Sequence, residues 1–164
     1  MLFMPSIRGI ISFIVGISFI FGIVYFVALG HTLTEFTHIL IAIQLGGWGG
    51  LALLTPALSA SVTDYLIRPY TLATASPPAQ TFVPIAALAI GGFVTGLIRK
   101  HPLNAFFIGV IYAIIIVIAY GVSLIFSGPF NILPSILGLS LSDFFLLFLT
   151  PSIMGFIGGI LTAI

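Results

Sequence analysis

Five times along its length the chain runs for about a membrane's width without a charged side chain, at 9–30, 39–63, 82–98, 103–127 and 144–164. A helix crossing ~30 Å of hydrocarbon at ~1.5 Å per residue needs about 20 apolar residues. Four of the runs meet that length and the third comes close to it. Main-chain groups in lipid must be satisfied within the spanning structure, which leaves helices or a closed barrel. Barrel strands alternate apolar and polar residues, and these runs are continuously apolar. The expectation is an all-α membrane protein, a compact bundle of about five transmembrane helices forming a single domain over 1–164.

The charges fall between the runs, as Arg8, Glu35, Asp64, Arg68, Arg99, Lys100 and Asp143. They make up 4% of the chain, against roughly a quarter in soluble domains, so a water-facing surface is excluded. The apolar core of the first run is longer than the ~7–15 residues of a secretory signal, and it is read as a retained helix. With no cysteine there is no disulfide or thiolate metal site. Nucleotide-binding loops, nucleophile–base sets and nucleic-acid patches are also missing from the sequence. The expected surroundings are a lipid bilayer in a multi-pass arrangement, with no nucleic acid and no cofactor.

Prolines 69, 77, 78 and 84 mark the main loop, in which Asp64 and Arg68 are spaced to pair on one helical turn and Tyr65 and Tyr70 suit the headgroup zone. Residues 99–104 form a tight connection with Pro102 opening the next helix, which predicts an antiparallel hairpin. Residues 127–143 are apolar, too short to cross and broken by Pro129 and Pro134. They predict a short interfacial or re-entrant segment before the last helix. Five crossings place Arg8 and Arg68 on one side against Arg99 and Lys100 on the other. A re-entrant second run would instead gather Arg8, Arg99 and Lys100 against Arg68. The length of run 39–63 favours the crossing.

Helices in lipid associate through close contact between small residues. Gly92 with Gly96, Gly155 with Gly159, Ser12 with Gly16 and Ser18 with Gly22 each share a helical face, as do Gly46 and Gly49 in the second run. These faces are expected to pack within the chain, or else against a second copy or other membrane subunits.

His31, Glu35 and His38 lie on one helical stripe that continues to Ala42, Leu45, Gly46 and Gly49. Two imidazoles and a carboxylate are a ligand set for zinc or another divalent ion. His101, on the same side under five crossings, adds an imidazole and raises a haem alternative. The commoner use of such residues at a segment end is capping and interface contact. The four glycines beside Gln44 and Trp48 either let a neighbour pack closely around Trp48 or, together with Asn131, mark a candidate polar path, because an unwound helix frees carbonyls to line one. No charge lies inside a run, which argues against an ion-coupled pump. The function expected is a non-catalytic subunit or scaffold of a larger membrane assembly. The alternatives are a channel or carrier for a neutral or weakly polar solute, and a metal- or haem-binding enzyme subunit.

Overall fold

A computed structural model describes residues 7–34, 37–38, 41, 44, 62–74, 82–127 and 139–163. All regular structure among them is helical. Helix α1 spans Ile7–Ile23 and continues through a wider turn, Val24–Ala28. Residues 62–67 are helical and lead through Arg68 into the short α2, Pro69–Thr74. Then follow α3, Val83–Arg99, α4, Pro102–Ser127, and α5, Leu141–Ala163. Three of these are long and apolar enough to cross a membrane: Ile7–Ala28, Pro102–Leu124 and Leu141–Ala163, with mean hydropathy of 2.6, 2.6 and 2.1. Helix α3 is apolar but only 17 residues long, and it is sheltered because α1, α4 and α5 all pack on it.

The interior differs from a soluble core in that many small residues are buried beside large ones such as Ile20, Leu88, Tyr112 and Leu147. On α3 the buried positions are Pro84, Ala87, Leu88, Gly91, Gly92, Thr95 and Gly96, and on α5 they include Pro151, Ser152, Gly155, Gly158 and Gly159. Large side chains such as Ile14, Phe107, Ile118, Phe145 and Ile153 face outward. Soluble cores bury large aliphatics because water drives them inside. Lipid provides no such drive, and small residues let backbones approach.

The glycine contacts define the helix directions. Gly92 lies against Pro151, and Gly96 against Gly155, Gly158 and Gly159, so α3 and α5 run parallel. Gly109 lies against Ser152, and Gly159 against Pro102, so α4 is antiparallel to α5. A methyl group on Gly109 would sit 2.6 Å from Ser152 Cα, and one on Gly159 would sit 2.7 Å from Pro102 Cα. Gly91 has Ile20 against it, while Thr95 reaches the Ser12 carbonyl, so α1 is antiparallel to α3. Ser12 and Gly16 face this contact. Ser18 and Gly22 line an open apolar groove on the outer side of α1 with Ile14, Phe19 and Phe26.

These directions put Arg8 at one end of the bundle with Arg99, Lys100 and His101. Ala28, His31, Val83 and Asp143 lie at the other end. Residues 62–74 join that second end, because Arg68 reaches Tyr120 and Thr71 reaches Asp143. Five alternating crossings would have placed His31 and His101 together and Arg68 with Arg8. The described residues do neither, so the count of five is not met by what is described and the tie in positive charge disappears. The tie of residues 62–74 to Asp143 is the physical reason. Run 39–63 falls mostly outside the described residues, as does most of 127–143.

Other expectations agree with the structure. Only Lys100 and His101 separate α3 from α4, which starts at Pro102. Asp64 and Arg68 form an i, i+4 ion pair at 3.3 Å. Asp64 is half exposed and Arg68 Nε makes no hydrogen bond in it, so the pair contributes at most about 1 kcal/mol.

The seam gives a direct test. Gly96→Ala should destabilise the bundle by about 1–3 kcal/mol, since the added carbon meets the Gly155 backbone. Gly121→Ala, whose added carbon meets nothing within 4 Å among the described residues, should stay within about 1 kcal/mol of the parent. Reversible unfolding in detergent is the measurement, and equal effects would contradict the packing.

Candidate functional site

The polar side chains gather at two places. The first is where α5 begins. Ser140 precedes the helix, and its Oγ accepts the Asp143 N–H at 3.1 Å while Asp143 Oδ2 accepts the Ser140 N–H at 3.2 Å. This is a reciprocal capping box with aspartate in the third position. The Ser140 hydroxyl also donates to Oδ2 at 2.6 Å. The carboxylate then reaches a second helix. Its Oδ1 accepts the Tyr70 and Thr71 N–H groups at 2.8 and 2.9 Å, and Oδ2 accepts the Thr71 hydroxyl at 2.6 Å. Tyr70 and Thr71 stand in the first turn of α2, whose N–H groups have no partner inside the helix. One fully buried carboxylate therefore closes the starts of two helices.

Arg68 stands next to this node. One of its terminal nitrogens donates to the Tyr120 hydroxyl at 3.5 Å. That hydrogen bond holds the guanidinium above its ordinary pKa, with burial opposing and the Asp64 and Asp143 carboxylates adding to it. Arginine is charged at any accessible pH, so Arg68 is a fixed cation and not a proton carrier.

The second place is inside the bundle, where α1, α3 and α4 meet. The Tyr112 hydroxyl lies 2.7 Å from Thr95 Oγ1 and within 3.1 and 3.0 Å of the Ser12 and Phe13 carbonyls. Thr95 in turn lies 2.8 Å from the Gly91 carbonyl. Each hydroxyl has one proton, so when Thr95 donates to Gly91, Tyr112 is left to donate to Thr95 or to α1. Gly16 provides the room, since a methyl group there would collide with both hydroxyls. The Tyr112 ring packs on Phe13 with centroids 5.3 Å apart. Both hydroxyls are occupied, and between them they tie the three helices together.

The residues singled out from the sequence are placed unevenly. His31 is part-buried and stacks on Tyr25 at 4.5 Å between centroids, and His38 is exposed on a helical turn. Glu35 lies outside the described residues, so the expected three-ligand set falls partly outside them. Among the described residues no three His, Cys, Asp or Glu side chains group to hold a metal. The chain turns sharply at Gly30, with φ at 66°, as a helix-ending glycine does. Gln44 is exposed on a helix. Trp48, Asn131, Gly46 and Gly49 lie outside the described residues. Gly92, Gly96, Gly155 and Gly159 sit in the α3–α4–α5 contacts.

Sequence reasoning passed over Pro151, Ser152, Thr95 and Tyr112, and placed Asp143 only among the charges between the apolar runs. The pattern Ser140-x-x-Asp143 before an apolar run was a readable capping signal. No family model, curated protein or solved structure matches the chain.

The Asp143 node predicts an order of effects. Asp143→Ala should cost about 1.5–3 kcal/mol, since charged-group hydrogen bonds to both helices are lost. Asp143→Asn should cost less, because one oxygen is kept for Tyr70 and Thr71 and the two hydroxyls can reverse toward the amide. Protease cutting between 62 and 74 should rise in the same order. An Asn variant as damaged as the Ala variant would count against this geometry.

Proposed function

We propose that this chain is a non-catalytic subunit or scaffold of a larger membrane assembly. The observation that carries the reading is the use made of its buried polar groups. Asp143, Thr95, Tyr112 and Ser152 all spend their hydrogen bonds on the protein's own backbone or hydroxyls. A catalytic or transport site needs groups held ready for a substrate, and these are committed to structure. The bilayer accounts for the outward aliphatics. The groove around Ser18 and Gly22 is apolar and lined by α1 alone, which is the shape that a small-residue face offers to a helix of another subunit.

The experiment is purification in mild detergent from the native membrane, with Gly22→Leu as the comparison. Among the described residues a side-chain carbon added at Gly22 meets nothing within 4 Å, so this variant should fold normally. The reading expects membrane proteins to co-purify with the parent in fixed ratio and to be lost from Gly22→Leu. A parent that purifies alone, with solute flux in reconstituted vesicles, would favour a channel or carrier instead.

A further inference from the structure

We propose that the end of the bundle carrying Arg8, Arg99 and Lys100 lies against the anionic headgroups of the cytoplasmic leaflet, and that Lys100 keeps its strained position for its charge. The sequence has four Lys and Arg residues in all, and the helix directions distribute them three against one. Arg8 stands one turn beyond Ser12, and Arg99 one turn beyond Thr95, on antiparallel helices joined at that pair, so the two guanidinium groups are at the same level. Arg68 alone is at the other end, accompanied by the carboxylates of Asp64 and Asp143. Positive charge beside short spans orients membrane proteins with the basic side toward the cytoplasm, where anionic lipids attract it.

Lys100 adds an independent observation. It closes α3 in the left-handed region, φ 58° and ψ 12°, with its N–H on the Gly96 carbonyl. Glycine is the usual residue there, because a Cβ is strained in that conformation. Among the described residues Lys100 is the one non-glycine with positive φ. It is exposed, so packing does not account for a lysine in this conformation. A cation after the last helical turn suits both the helix carbonyls and an anionic surface.

The absence of native cysteine permits single-site labelling of the full chain in intact cells with a membrane-impermeant maleimide. His101→Cys should be protected until the membrane is permeabilised, and Thr74→Cys should react in intact cells. The reverse pattern, or both sites on one side, would overturn the proposal. Lys100→Gly relieves the strain, so this variant should fold at least as well as the parent, yet a fraction of its chains should become inverted. Adding Arg99→Gln should enlarge that fraction. Fully one-sided labelling in both variants would show that these charges do not set the orientation. Reconstitution into phosphatidylglycerol vesicles should preserve the parent's one-sided insertion better than phosphatidylcholine, and equal insertion in the two would contradict the headgroup contact.

Discussion

Backbone-to-backbone contact along α5 is what the rest of this bundle depends on. Without water to drive large side chains inward, two helices gain from association only if their main chains come close enough for many weak attractions to add. Pro151, Ser152, Gly155, Gly158 and Gly159 make α5 such a surface. Gly92 and Gly96 press on it from α3, and Gly109 presses on it from α4. Proline inside a helix lacks one N–H and usually kinks it. Here Pro151 lies where glycines from both neighbours face it, so the turn that lacks this N–H is enclosed by protein and kept from lipid.

Polar groups are fitted around this seam in a way that follows from their depth. Inside the bundle, about one turn in from Arg8 and Arg99, Tyr112 and Thr95 donate to carbonyls that already serve a helix, using the second lone pair. Interhelical bonds of this kind contribute about 0.6 kcal/mol on average. Their benefit is geometric, since the hydroxyl positions fix the height of α1 against α3 and α4. At the end, Asp143 works on free helix starts, where N–H groups would otherwise need water. Through Tyr70 and Thr71, more than seventy positions away in sequence, it fastens residues 62–74 to the beginning of the last helix.

The helices themselves were legible because charge spacing reports bilayer thickness directly. Four of the five apolar runs coincide with described helices, and Pro102 marked a helix start by its fixed φ and missing N–H. The number of crossings was less legible. The length of run 39–63 argues for a crossing, while the contacts that place residues 62–74 at the His31 end are long-range pairs with no local signature. Glycine spacing shows that a face is small but not which helix covers it. Ser12 and Gly16 meet α3, whereas the similar pair Ser18 and Gly22 opens outward. The stripe of His31, Glu35 and His38 was read from helical angles alone, and angles carry no information about whether a segment presents its stripe to protein or to solvent.

The most direct measurement of the central claim is a through-space carbon correlation spectrum of glycine-labelled protein in lipid. Close parallel packing of α3 on α5 predicts cross-peaks from the Gly96 α-carbon to those of Gly155 and Gly158, while Gly22 and Gly121 show none to the glycines of α3 or α5. Gly96 correlating with no residue of α5, or correlating instead with Gly22, would contradict the seam on which the fold is built.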